Sequence, residues 1–129
     1  MRQFHATVVE LYSEEEGILT IHFDDQADHY LQLQAPEVDD PVEYEPGYGN
    51  VYVEVDDQYF SGFNCFSLAE LKRDRFRIVL AREEELVRRI GEVVVTFDLD
   101  DKAFGELRRG LELAFRAFGS FRVALDSQG

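Results

Sequence analysis

Over most of the first hundred residues apolar and polar positions alternate with a period of two, the signature of extended chain. FHATVVELY (4–12) sets Phe4, Ala6 and Val8 against His5, Thr7, Val9 and Leu11, which predicts one strand buried in part on both faces. The acidic turn SEEEG leads into ILTIHF (18–23), whose β-branched and aromatic content predicts a second strand in an antiparallel hairpin. DDQAD then turns the chain into HYLQLQA, where Tyr30, Gln32 and Gln34 alternate with Leu31 and Leu33, a strand with one face toward solvent.

NVYVEV (50–55) alternates Val51, Val53 and Val55 with Tyr52 and Glu54, DDQ turns, and YFSGFNCFSL (59–68) returns as its partner, with Gly62 marking a bulge or a close backbone approach. RFRIVLA (75–81) is a further strand with basic side chains on its wet face, which can neutralise a neighbour. REEELVRRIG (82–91) carries Leu86, Val87 and Ile90 at helical spacing and Gly91 at a C-cap position. EVVVTFDL resumes extended structure. KAFGELRRGLELAFRAFG (102–119) repeats Phe104, Leu107, Leu111, Ala114 or Phe115, and Phe118 at steps of three and four, with Asp98, Asp100 and Asp101 at its positive end and Gly119 at its stop. Gly105 and Gly110 weaken that helix by about 1 kcal/mol each relative to alanine, which points to close packing on a sheet. SFRVAL adds a terminal strand. The expected class is α+β: one domain over residues 1–129, a mostly antiparallel sheet, one long C-terminal amphipathic helix across one face, and a short second helix.

Composition bounds what such a domain can be. With 129 residues, 45% of them hydrophobic, and eleven Phe and six Tyr, the chain can bury a core without staples. A single cysteine, Cys65, rules out an internal disulfide and a thiolate zinc cluster. Neither a secretory leader nor an apolar run of membrane-spanning length is visible, so the expected location is the cytoplasm, away from membranes. The net charge of -14 sits in the first half: residues 1–58 hold fifteen Asp and Glu against Arg2 alone, and residues 59–129 hold twelve acids and twelve bases. That asymmetry argues against direct binding of nucleic acid and leaves a basic partner or plain solubility.

Few residues suggest chemistry. His22, Asp24, Asp25, Asp28 and His29 gather nitrogen and carboxylate donors in one hairpin, which would suit a small metal-dependent enzyme, but Asp and Gln are ordinary turn residues and the histidines lack a fixed ligand spacing. His5 has no nucleophile that sequence can place beside it, and Cys65 lies in an apolar strand, as an inert thiol does. No GxSxG and no phosphate-binding glycine loop occurs, so no catalytic residue and no cofactor is expected. The remaining feature is EVDDPVEYEPGYGN (37–50), five carboxylates without a lysine or arginine, broken by Pro41 and Pro46. Its spacing does not fit a calcium loop, and Tyr44 and Tyr48 supply contact area a linker does not need. Two readings stay open: a solvated loop, or a docking surface in which Glu37, Asp39, Asp40, Glu43 and Glu45 steer a basic partner and Tyr44 and Tyr48 anchor it.

YLQLQ (30–34), an acidic loop with glycine, VYVEVDDQYFSGFN (51–64), RFRIVLA (75–81) and LELAF (111–115), in this order and spacing, resemble the immunity protein 10 family of bacterial polymorphic toxin systems over roughly residues 4–118. The resemblance implies a small α+β domain encoded beside a toxin that it blocks by binding, with no catalytic residues and no cofactor. Many toxins of such systems act on nucleic acids and need basic clefts, so the implied partner is a basic toxin domain, with a nuclease as one such class. A metal-dependent enzyme on the His22–His29 hairpin and an acidic scaffold unrelated to toxins are the alternatives.

Overall fold

A computed structural model describes residues 1–13, 17–38 and 44–124. The strands are β1 (Arg2–His5), β2 (Val8–Ser13), β3 (Ile18–Asp24), β4 (Tyr30–Pro36), β5 (Tyr52–Val55), β6 (Asp57–Phe63), β7 (Phe66–Lys72), β8 (Arg75–Leu80), β9 (Glu92–Thr96) and β10 (Phe121–Val123); the helices are α1 (Glu84–Arg89) and α2 (Asp101–Ala114). The class is α+β, as the periodicities predict, but the strands form two sheets rather than one. The first has the order β1-β9-β8-β7-β10 and the second β2-β3-β4-β5-β6. All pairings are antiparallel except β1 with β9 and β10 with β7.

Two corners carry the chain between sheets. At the first, Ala6 donates its amide to Thr96 O at 2.8 Å in the first sheet, and the next amide, Thr7, donates to Asp24 O at 2.9 Å in the second. The inward set changes phase there, from Phe4 and Ala6 to Val9 and Leu11, which is why residues 4–12 read as one strand buried on both faces. At the second corner Asn64 bonds back to Val51 O at 2.7 Å, while Cys65 O accepts from Ala81 in the first sheet. Asn64 has φ +54, in the left-handed region that asparagine tolerates, so the stretch read as one strand over 59–68 is two.

The inner faces of the two sheets meet in a sandwich core. Phe23 of β3 stacks on Phe76 of β8 with ring centroids 5.6 Å apart. Asp100 caps α2 by accepting from Ala103 N at 2.8 Å, and Phe104, Leu107, Leu111 and Ala114 are buried. The helix lies on the inner face of the second sheet, so closely at Gly110 that a Cβ there would collide with the Leu11 side chain. The expectation of a long helix running to Gly119 is corrected: α2 has 14 residues and ends at the Phe115 cap. Phe115 and Phe118 are buried outside the helix, in an aromatic cluster with Phe66 and Phe121, so the apolar periodicity outlasts the helical backbone. The short helix is as expected; Gly91, at φ +77, donates to Leu86 O at the end of α1.

Candidate functional site

The acidic segment connects β4 to β5, so it opens at one end of the second sheet. Asp39, Asp40 and Glu43 fall outside the described residues. Glu37 accepts from Ser13 Oγ at 2.9 Å, and its amide donates to Gly17 O, which holds the start of the segment against the β2–β3 hairpin. Arg116, beyond α2, donates to Pro36 O at 3.1 Å.

The return end is a fixed turn. Pro46 and Gly47, the latter at φ +84, occupy the central positions, and Tyr48 N donates to Glu45 O at 3.0 Å. Gly49, at φ +87, exchanges amide bonds with Glu45 and lies against the Tyr44 ring, where a Cβ would press on Ala117 and the tyrosine. The Glu45 carboxylate accepts from Arg82 Nη2 at 2.7 Å and from Asn64 Nδ2 at 3.0 Å; these two donors hold its carboxyl below the usual glutamate range. The Arg82 guanidinium also lies 4.4 Å from the centre of the Tyr48 ring, and Tyr48 stacks on Phe118 at 5.4 Å. Glu45 and Tyr48, like Glu37, are thus engaged within the molecule, and the Tyr44 ring lies beside Gly49. Sequence reasoning missed Arg82 and Asn64 as the residues that hold this turn. Both have positive φ, and only the asparagine, in a run otherwise suited to a strand, carried a readable signal.

The hairpin with metal-like donors comes apart in space. His22 hydrogen-bonds through Nε2 to Asp24 at 3.0 Å and through Nδ1 to Gln32 at 2.9 Å, whereas His29 turns to Asp56 at 3.2 Å, beside Arg2. Asp25 is a turn residue that accepts from His29 N and Ala27 N, and the first of these bonds leads in lowering its pKa. Among the described residues no three His, Cys, Asp or Glu side chains are grouped so as to hold a metal. Cys65 is buried, and burial pushes its thiol up. His5 hydrogen-bonds Thr96 Oγ1 at 2.8 Å on an exposed edge.

The outer face of the second sheet was read from sequence only as the wet side of its strands. Register aligns it in rows across all five strands: Tyr12, Thr20, Gln34, Tyr52 and Phe63 in one, and Glu10, His22, Gln32, Glu54 and Ser61 in the next. Glu54 is 9% exposed and accepts from two tyrosines, Tyr52 OH on Oε1 at 2.6 Å and Tyr30 OH on Oε2. Burial first, and the bond to Glu54 second, push both tyrosine hydroxyls up, so they remain donors. No lysine or arginine stands on any strand of this sheet.

A family model described as immunity protein 10 matches residues 5–105. The chain belongs to the immunity protein 10 family. The matched span holds both corners, the acidic segment, Arg82 and the whole second sheet, and stops within the first turns of α2. No curated protein and no solved structure matches the chain. Among the described residues no helix is long and apolar enough to cross a membrane.

Proposed function

We propose that this protein is a non-enzymatic, cytoplasmic immunity protein of a polymorphic toxin system, which neutralises a cognate toxin domain by binding it through an acidic surface. Family membership supports the class of role, and one observation supports the surface: residues 8–63, which form the second sheet and its connections, hold fifteen carboxylates without a single lysine or arginine. A toxin with a basic cleft, such as a nuclease, is the complementary partner. Within the segment, Glu45 and Tyr48 hold the turn, while Glu37, Asp39, Asp40 and Glu43 steer the partner and Tyr44 anchors it.

The test joins protection to kinetics. Coexpression with the toxin encoded beside this gene should spare the host cell, and the triple change Asp39→Asn, Asp40→Asn, Glu43→Gln should slow association at low salt with little effect at high salt. Tyr44→Ala should act on dissociation instead. If the unaltered protein neither binds the neighbouring toxin domain nor protects, the reading fails.

A further inference from the structure

The outer face of the second sheet contains a carboxylate withdrawn from water and faced by no lysine or arginine of its own sheet. A carboxylate withdrawn from water costs several kcal/mol unless it is paired. Glu54 is so withdrawn, yet its described partners are two neutral tyrosine hydroxyls on a sheet that carries no cation. Beside it the same face has a hollow of about 320 Å³ between Ile18, Pro36, Tyr52 and Phe63. Phe63 is 63% exposed at its rim and packs on Tyr52 with centroids 5.2 Å apart. Pro36 begins and Asn50 ends the connection that carries the acidic segment, so the segment leaves and re-enters the sheet at the walls of the hollow.

Resting on the reading of this chain as a toxin-binding protein, we propose that the outer face of the second sheet is the docking surface, and that it takes a segment of the toxin bearing an arginine and a neighbouring apolar side chain. The guanidinium approaches Glu54 through the lone pairs the tyrosines leave open and lies along the Tyr30 and Tyr52 rings, while the apolar side chain fills the hollow under Phe63. Arginine suits this place better than lysine because its planar cation can stack on aromatic rings and bond a carboxylate at once. Charge complementarity selects such a partner over a second copy of this chain, which would set Glu10 and Glu54 against their own kind.

The experiment measures association and dissociation of the purified, inactivated C-terminal domain of the neighbouring toxin with the full chain and with the variants Glu54→Gln and Phe63→Ser. Melting curves confirm that each variant is folded, and the exposed Phe63 carries the test alone if Glu54→Gln does not fold. Each variant should weaken binding more than tenfold through faster dissociation, and Val87→Ala on the exposed side of α1 should leave it unchanged. Unchanged rates for both variants, with the unaltered protein still binding, overturn the docking face and leave the toxin-neutralising reading in place. Loss confined to the changes at Asp39, Asp40 and Glu43 does the same. No binding by the unaltered protein overturns both. A homodimer in sedimentation that Phe63→Ser dissociates would assign the face to a second copy and overturn the proposal.

Discussion

The two sheets have equivalent inner faces and opposite outer ones. On the first sheet, register sets Glu70 between Arg77 and Arg122, and Arg77 also reaches Glu92, so charges of both signs interleave and cancel. On the second sheet the corresponding rows carry tyrosine, glutamine and carboxylate, with His22 as the nearest approach to a cation. A sheet face that needs only solubility can be neutralised locally, as the first one is. The second face lacks that compensation in a chain that places five bases on the strands of the other sheet. Local neutralisation suits the first face to solvent, and its absence from the second is what the proposed docking of a basic partner would answer.

The equivalence of the inner faces is the part most easily broken. Phe23→Ala and Phe76→Ala remove the two halves of one stacked pair, and each should cost about 3–5 kcal/mol in denaturant unfolding. A cost under about 1 kcal/mol for either would mean that the sheets do not pack through it. Next in size is Gly110→Ala. Helix propensity favours alanine, but collision with Leu11 should make the change destabilising by about 1–3 kcal/mol. Gly105→Ala, whose Cβ would meet only the Arg109 side chain at 3.6 Å, should instead stabilise by up to about 1 kcal/mol. Equal signs for the two would place the helix differently on the second sheet.

The outer faces should differ in sign. Glu70→Gln on the first sheet removes a charge standing between two arginines and should lower stability by under about 1 kcal/mol. Glu54→Gln removes a charge with no cation and should leave stability level or raised, whatever it does to toxin binding. Parallel thermal melts of the two variants decide this; a matching loss in both removes the contrast. The smallest effect concerns pH. The Glu45 carboxyl is held below its ordinary value of about 4.5 by Arg82 and Asn64, so its contribution is present above that value and is lost as pH falls through the lowered one. Glu45→Gln should therefore flatten the acid side of the stability profile. An unchanged profile would show that the Arg82 contact contributes nothing measurable.

Much of this was legible in the sequence where order is local. The β-branched and aromatic content of ILTIHF and the clean alternation in HYLQLQA and RFRIVLA marked β3, β4 and β8, and Gly91 marked the end of α1. The acidic segment stood out by charge alone. What escaped depends on residues far apart in the chain. The corners at Ala6 and Asn64 shift the phase of the pattern without interrupting it, so one sheet was expected where two exist. The end of α2 was hidden because Phe115 and Phe118 continue the helical spacing into an aromatic cluster. Arg82 lies 37 residues from the Glu45 it binds, and the row joining Tyr52 and Phe63 to Tyr12 exists only once the register of five strands is known.

The first corner also sets an order of assembly. The second sheet is a meander of consecutive strands, complete once residue 63 is available, whereas β1 must wait for β9, some ninety residues later, and β7 for β10 near the C-terminus. Local pairings close faster than distant ones. During synthesis the acidic sheet can therefore form while β7 to β10, which with β1 will back it, have yet to emerge, its apolar inner face waiting for a partner sheet. Pulse-labelled amide exchange during refolding should show protection rising in β3 and β4 before β1 and β9. Simultaneous protection would mean that neither sheet persists without the other.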